Sequence, residues 1–308
     1  MAFLNRADNV YLIDTKMFGF DNYNAAYLIK GKELALIDTG LPNQLEAVQA
    51  GIKGHGFSVS EIKYIFITHA HNDHCGNVAP FLKECPGVKV YIHPAGETNL
   101  TDPESHREKL KKQILPQMLE RFGIMKPVPR SRIQFLSDGD RFNLGNGVTL
   151  RTIFAKGHQP SGLVFLEEKT NGLFINDLVG LYLEDCDFSL ILNPYGSDVL
   201  LAMESLKKML ALSPSKLFLG HYGICDKPAK VIKGALNSMQ HLLDIGAKCV
   251  AEGKPEKIEP SITESKMKEI GKIKAARGED MYQYLIEELI PHQSTSFSKY
   301  YLSLPKKK

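Results

Sequence analysis

The stretch from Tyr64 to His74 constrains this chain more than any other. Tyr64–Ile67 is a run of aromatic and β-branched residues that reads as a buried strand. It stops at Thr68-His69-Ala70-His71-Asn72-Asp73-His74, which packs four metal-capable side chains into six residues. Alternate residues of an extended segment point the same way, so His69 and His71 can grip one ion together. Asp73 and His74 lie beyond the turn and can face a second ion beside it. Imidazole suits Zn²⁺ or Fe, and a carboxylate adds the negative charge that a two-cation site needs. The alternative, a histidine-rich surface loop, fits poorly at the end of a buried strand.

Strand and helix signals alternate around that cluster. Residues 9–14, 25–30 and 33–38 are short β-prone runs that read as a meander entering a sheet. Helices are predicted at 43–54 and 78–84 and a strand at 88–92. Strands resume near 132–136, 148–154, 163–167 and 172–176, then a helix at 198–211 and a strand at 216–219 ending in Gly220-His221. Between them, residues 103–126 repeat Leu110, Ile114, Met118 and Phe122 every fourth residue, with Lys109, Lys111 and Lys112 elsewhere. That spacing predicts an amphipathic helical insertion, kinked at Pro116. Beyond residue 225 only helical patterns remain: Ile232, Leu236, Met239, Leu243 and Val250 mark a long helix, and two more are expected at 263–275 and 279–289. The predicted layout is a mixed α/β domain over 1–225 and a helical extension over 226–308, whose closing Lys306-Lys307-Lys308 reads as a solvated end.

Composition narrows the function classes. With 308 residues, 43% hydrophobic and 24% charged, the chain is expected to be a soluble globular protein. Its 38 basic and 35 acidic residues leave a net charge of +3 and form no basic stripe, so nucleic acid is a disfavoured partner. No window of ~20 apolar residues predicts a membrane span. The amino end lacks the basic start and apolar stretch of a signal peptide. Cys75, Cys85, Cys186, Cys225 and Cys249 are odd in number and form no CxxC pair, which fits reduced thiols in a cytoplasm. The expectation is a cytoplasmic protein with a small-molecule substrate, with homo-oligomerisation left open.

Five motifs in order then carry a resemblance. They are Ile37-Asp38-Thr39-Gly40, the histidine cluster, Gly157-His158-Gln159-Pro160-Ser161-Gly162, Phe174-Ile175-Asn176-Asp177 and Gly220-His221-Tyr222-Gly223. Over about residues 9–225 the chain resembles the metallo-β-lactamase-fold hydrolase superfamily. The resemblance implies an α/β (α+β) fold, a four-layer αββα sandwich, here with the helical insertion and the C-terminal helical extension. It implies that His69, His71 and His158 hold a first metal, that Asp73, His74 and His221 hold a second, and that Asp177 bridges both. Asp38 would orient the ligands from behind. The ions would be two divalent metals, Zn²⁺ first, with Fe or Mn compatible. Three departures bear on loop geometry: Ser161 is extra in the third motif, Asn176 stands where glycine is frequent, and Tyr222 interrupts a Gly-His-Gly. Asn tolerates a positive φ better than most residues if one is needed there.

The resemblance implies a binuclear hydrolase that uses a metal-bridging hydroxide on an ester-like carbonyl (thioester, ester or lactone). Asp73 would be the catalytic carboxylate that orients the nucleophile or takes its proton. Two divalent ions, balanced by Asp73, Asp177 and a hydroxide, leave about one positive charge for an oxyanion. The alternative is a small endoribonuclease or phosphodiesterase of the same fold. The chain lacks room for the large β-CASP insert, lacks the flavodoxin domain of flavodiiron members, and keeps the second-site ligands that mononuclear persulfide dioxygenases lack. Tyr182, Tyr195 and Tyr222 follow metal motifs and are candidates to hydrogen-bond a substrate. His55, His93, His106, His241 and His292 read as structural or solvated, and Cys75 as a small buried residue. The insertion suits an acyl chain with an anionic carrier if it roofs the cleft, and equally suits a helix packed on its own domain.

Overall fold

The computed structural model describes residues 6–114 and 116–305. Two sheets face each other. The first runs in chain order: β1 (Arg6–Ala7), β2 (Val10–Asp14), β3 (Ala25–Lys30), β4 (Leu34–Ile37), β5 (Ile62–Phe66), β6 (Lys89–Ile92) and β7 (Ile133–Phe135). Its first four strands are an antiparallel meander, and β4 to β7 are parallel. In the second sheet β8 (Arg141–Gly145), β9 (Val148–Phe154), β10 (Leu163–Glu167) and β11 (Gly172–Asn176) are antiparallel neighbours. A small hairpin of β12 (Leu181–Leu183) and β13 (Phe188–Leu190) stands apart, and the sheet closes with β14 (Lys216–Leu219) parallel to β11 and β15 (Ile224–Cys225) at its edge.

Alternation along the strands sorts side chains between layers. Leu12, Tyr27, Ile29, Ile37 and Phe66 join Leu150, Phe165, Phe174 and Phe218 in the core between the sheets. Ile13, Leu28, Leu36 and Ile65 point the other way, onto α1 (Leu45–Gly54) and, after the short α2 (Asn72–Cys75), α3 (Val78–Glu84). The outer face of the second sheet, with Val164, Leu173, Ile175 and Leu217, is covered by helices whose ranges are given below. The result is the four-layer αββα sandwich with a C-terminal helical extension.

The insertion differs from the expected single kinked helix. It follows α4 (Glu97–Thr101) and forms two helices, α5 (Pro103–Leu110) and α6 (Pro116–Arg121), with turns between. Proline explains both starts: it lacks an N–H and suits only the first turn of a helix. Asp102 caps α5 by accepting from Ser105 N at 3.1 Å. The repeat at Leu110, Ile114, Met118 and Phe122 thus runs across a break.

α7 (Val199–Ala211) and the long α8 (Pro228–Ala251) agree with the expected helices, but the rest of the extension is divided otherwise. It contains α9 (Ile258–Met267), α10 (Gly271–Arg277) and α11 (Glu279–Tyr284), with a break at Gly278, whose φ is +87°. A π-helical turn, Leu285–Leu289, then leads into α12 (Ile290–Ser303). α12 lay outside the expected helices because its buried positions include Gln293, Ser294 and Ser296, which carry no apolar periodicity. Met239, Leu242, Ile258, Ile262 and Phe297 of the extension share one core cluster with Leu173, Ile175 and Leu217 of the second sheet. The expected solvated end, Lys306-Lys307-Lys308, lies outside the described residues.

Parallel pairing aligns strand ends. Ile37 is the register partner of Phe66, and Asn176 that of Leu219, so the loops after β4, β5, β11 and β14 emerge on one edge of the sandwich. The sheets are stitched there by Leu163 N donating to Thr68 O at 2.7 Å and Ala25 N to Gly220 O at 3.0 Å. The β9–β10 loop reaches the same edge because its backbone is clamped to α7: Asp198 N donates to Gly157 O at 2.7 Å, and Ser205 Oγ to Lys156 O at 2.7 Å. That clamp needs a glycine. Gly157 has φ +132°, and a Cβ there would lie 2.3 Å from the backbone of Ala202. Gly157→Ala should lose about 2–4 kcal/mol of unfolding free energy, combining backbone strain with overpacking. Chemical denaturation checks it, and a loss under about 0.5 kcal/mol, the scatter of ordinary surface substitutions, would contradict this account of the loop.

Candidate metal centre

Every motif residue of interest sits on that edge, just past a strand end or in the clamped loop. Two groups of side chains converge there: His69, His71, His158 and Asp177 in one, Asp73, His74, Asp177 and His221 in the other. Within each group the candidate ligand atoms all lie within 4.8 Å of one another, and Asp177 belongs to both. In the first group His71 Nδ1 lies 2.9 Å from His69 Nε2 and 3.0 Å from His158 Nε2, while Asp177 Oδ2 is 3.7 and 3.5 Å from the latter two. In the second, His74 Nε2 and His221 Nε2 each lie 3.3 Å from Asp177 Oδ2, and 3.4 and 3.8 Å from Asp73 Oδ2. Ligands at ~2.1 Å on a tetrahedral ion stand about 3.4 Å apart, so the spacing is that of ligand shells.

The outer ring nitrogens explain why the inner ones face inward. His74 Nδ1 donates to Asp38 Oδ2 at 2.8 Å, His158 Nδ1 to Leu192 O at 3.1 Å and His221 Nδ1 to Tyr23 O at 3.3 Å. Thr68 Oγ1 gives its hydrogen to Asp38 Oδ2 at 2.8 Å and is left to accept from His69 Nδ1 at 3.2 Å. Each of these rings therefore turns its Nε2 to the centre, where the neutral form offers a lone pair, and such outer partners commonly fix a ligating histidine. Two buried atoms at the centre, His74 Nε2 and Asp177 Oδ1, find no hydrogen-bond partner among the described residues. Buried polar groups without partners are costly, and cations between the two groups would satisfy both. The residues present fit a pair of divalent ions.

The departures from the family pattern have local explanations. Asn176 has φ +50°; its amide donates to Leu163 O at 2.6 Å and its Oδ1 accepts from Leu178 N at 2.8 Å, holding the turn that aims Asp177. Ser161 Oγ and Gln159 Oε1 both accept from Ala70 N, at 3.0 and 2.9 Å, tying the third motif to the residue between His69 and His71. Tyr222 takes φ +57°. Gly220 leaves no room for a side chain, since its Cβ would stand 2.4 Å from Asp177 Oδ1.

Electrostatics divides the groups. Burial pushes His71 down to about 3 and lowers His69 and His158 as well, so these three are neutral at pH 7. Burial also disfavours charge on His74 and His221, yet Asp177 and Asp73, with Asp38 at His74, more than offset it and raise both. Burial raises Asp73, but His74 and His221 hold it down at about 2, and they depress Asp177 further.

Beside the centre opens a cavity of about 130 Å³, reached by His71, Asp73, His158, Asp177 and His221. Its walls come from the insertion, through Leu110, Ile114, Met118 and Phe122, and from the extension, through Tyr284, Leu289, His292 and Gln293. The tyrosines that were candidates to hydrogen-bond a substrate do not line it. Tyr182 is buried with its hydroxyl on Asp187 at 3.4 Å, Tyr195 accepts from Lys299 Nζ at 2.8 Å, and Tyr222 packs between the sheets. Two tyrosines that sequence reasoning missed do line it, Tyr23 and Tyr284. Tyr23 precedes β3 and follows no metal motif; Tyr284 comes from the far end of the chain. His106 and His292, read as structural or solvated, also line it, whereas His55 donates to Leu12 O at 2.7 Å and His93 caps the turn after β6. All five cysteines are free and buried, and no helix among the described residues is long and apolar enough to cross a membrane.

Comparison with known proteins agrees with this geometry. The metallo-beta-lactamase fold-containing protein ST1585 of Sulfurisphaera tokodaii is 25% identical over 225 residues, 71% of this chain and 80% of its own. Its crystal structure superposes with a TM-score of 0.64, at 22% identity over 76% of this chain and 87% of that one. A metallo-beta-lactamase family protein of Thermus thermophilus has a TM-score of 0.67 at 19% identity and covers 96% of this chain and 93% of its own, extension included. An atrochrysone carboxyl ACP thioesterase of Aspergillus fumigatus is 25% identical over 185 residues, 57% of this chain, and the match spans 35% of that protein's length. The family model described as metallo-beta-lactamase superfamily matches residues 19–221, the stretch that carries all the converging side chains. The chain therefore belongs to the metallo-beta-lactamase superfamily.

Proposed function

We propose that the protein is a binuclear metal-dependent hydrolase of a partly apolar thioester or ester, with lactones in the same class. The observation that carries this reading is the placement of two ligand groups sharing Asp177 at the polar end of a cavity with apolar walls. His69, His71 and His158 would hold one ion and Asp73, His74 and His221 the other, with Asp177 between them. A bound pair of divalent ions (Zn²⁺, or Fe or Mn on the same donors) lowers the pKa of a shared water toward 7 and polarises a carbonyl oxygen.

The chain's own groups supply the rest. Asp73 reaches the cavity as a carboxylate and would orient the attacking water or take its proton. Asp38 keeps His74 in the tautomer that points Nε2 inward. Leu110, Ile114, Met118 and Phe122 offer a surface for an acyl chain, an environment ill suited to a polyanionic nucleic-acid backbone. The resemblance to a thioesterase supports the thioester as first candidate.

Protein prepared without chelators should contain two equivalents of divalent metal per chain by elemental analysis. Asp177→Ala should drop below one equivalent and lose at least about 100-fold in kcat, since it removes the shared carboxylate. Full activity with a single stable equivalent would refute the binuclear reading.

Metal uptake should also release protons unequally. The histidines of the first group are neutral at pH 7, whereas raised His74 and His221 must give up protons before ligating. Lowering pH therefore weakens the second ion more than the first, by up to ~10-fold per unit for each proton displaced. Chelator competition at about pH 6 and about pH 8 measures the two slopes; equal slopes, or a steeper one for the first ion, would contradict the assignment.

Replacing Met118 and Phe122 together by Ala should raise KM for long-acyl substrates by about 10-fold or more, roughly one buried side chain's worth of contact, and for acetyl substrates by less than about twofold. Equal changes for both lengths would show that this wall does not receive the acyl group.

A further inference from the structure

Tyr23 and Tyr284 form a hydroxyl pair that the metal chemistry does not use. Tyr23 O–H donates to Tyr284 Oη at 3.3 Å, both side chains are buried, and both border the cavity. Among the described residues the Tyr284 hydroxyl meets no acceptor for its own hydrogen, which leaves the cavity as the place where that hydrogen can be donated. A buried hydroxyl with an unplaced hydrogen is costly unless something accepts it.

The pair is tied to the metal edge on one side. The Tyr23 ring packs against the His221 ring with centroids 5.5 Å apart, and its carbonyl accepts from His221 Nδ1. The Tyr284 ring is fixed from the other. The Arg121 guanidinium, from α6 of the insertion, lies 5.1 Å over it, also covers Phe18 at 4.4 Å, and is anchored at 2.9 Å by Glu288. Tyr284 is the last residue before the π-helical turn Leu285–Leu289. Such turns are uncommon and recur at functional sites, because the extra residue re-aims the side chains around it. Here Tyr284 and Leu289 line the cavity at the two ends of the turn, and Glu288 between them anchors Arg121.

Resting on the hydrolase reading, we propose that the Tyr284 hydroxyl is a hydrogen-bond donor to the substrate's acyl oxygen, oriented by Tyr23 and held by Arg121. Tyr284 is then a catalytic residue supplied by the C-terminal extension, and Tyr23 and Arg121 are positioning residues. Burial raises the Tyr284 phenol above its ordinary range, so it keeps its hydrogen throughout the working pH of such an enzyme. Fixed donors aimed at developing oxyanion charge are among the strongest contributions to acyl transfer.

The test compares wild type with Tyr284→Phe, Tyr23→Phe and Arg121→Met, using an octanoyl thioester and the hydrated ketone 1,1,1-trifluorodecan-2-one as a tetrahedral mimic. Tyr284→Phe should lower kcat by about 10–100-fold with KM within about twofold, and weaken the ketone by at least about 10-fold, with metal content and melting temperature unchanged. Tyr23→Phe and Arg121→Met should each give a smaller kcat loss that nearly vanishes in the Tyr284→Phe background, as expected of residues acting through it. A Tyr284→Phe enzyme that retains kcat within about twofold would overturn the proposal. So would unchanged ketone affinity, or a wild type that does not bind the ketone. A wild type that hydrolyses no carbonyl substrate would instead sink the hydrolase reading, and the ketone comparison would still decide whether Tyr284 donates into the cavity.

Discussion

Asp38 is the buried carboxylate on which the arrangement of the metal edge rests. It follows β4, takes φ +59°, and accepts from Thr68 N and Thr68 Oγ1 after β5 and from His74 Nδ1 in α2. Three donors compensate a charge that burial alone would not tolerate, and burial still raises its pKa. Those bonds join the ends of two parallel strands to the helix that follows them. They also fix Thr68 Oγ1, which fixes His69, so one side chain determines the direction of two imidazoles. The other candidate ligands reach the same edge through β11 and β14 and through the glycine-clamped loop before β10. Remove the carboxylate, and Thr68 and His74 lose their shared acceptor, leaving backbone bonds such as Thr39 N to His74 O at 2.7 Å to join these segments.

Much of this was legible in the sequence, for a definite reason. Strand-end ligands leave a local mark: an apolar run, then a polar residue with a glycine or asparagine nearby. The His69–His74 cluster, His158, Asp177 and His221 all carry that mark, as does Asp38. The strands 163–167 and 172–176 were readable as fully buried runs with clean ends, and 148–154 by its alternation. What was not readable depends on distant partners. Tyr23 and Tyr284 are 261 residues apart, and neither has a local signature. Tyr182 and Tyr195 follow motifs, yet Asp187 and Lys299 take their hydroxyls elsewhere. α12 was missed because buried serines and a glutamine break the apolar period, their polar atoms being satisfied within the fold, as Ser294 Oγ is by Ile290 O. The insertion's repeat was real and its continuity was not: a proline divided it without disturbing which face turned inward.

The extension is more than a cap placed on a finished domain. Its helices complete the outer core of the second sheet and also form part of the cavity, and α12 takes part in both: Phe297 enters the core while His292 and Gln293 face the cavity. The small hairpin β12–β13 lies between these tasks, packing Leu181, Leu183 and Phe188 against Ile273, Met281 and Leu285. Stability and the shape of the cavity thus draw on the same helices.

The Arg121–Glu288 ion pair joins two stretches of chain separated by 167 positions. Neither stretch supplies one of the converging His or Asp side chains, so what constrains this pair is that its two ends still meet. Over evolutionary time, a change of charge or bulk at one end would favour a matching change at the other. The metal edge, closed even to a methyl group at Gly220, would stay as it is. In this architecture diversification proceeds by paired changes in the roof above a floor that admits almost none.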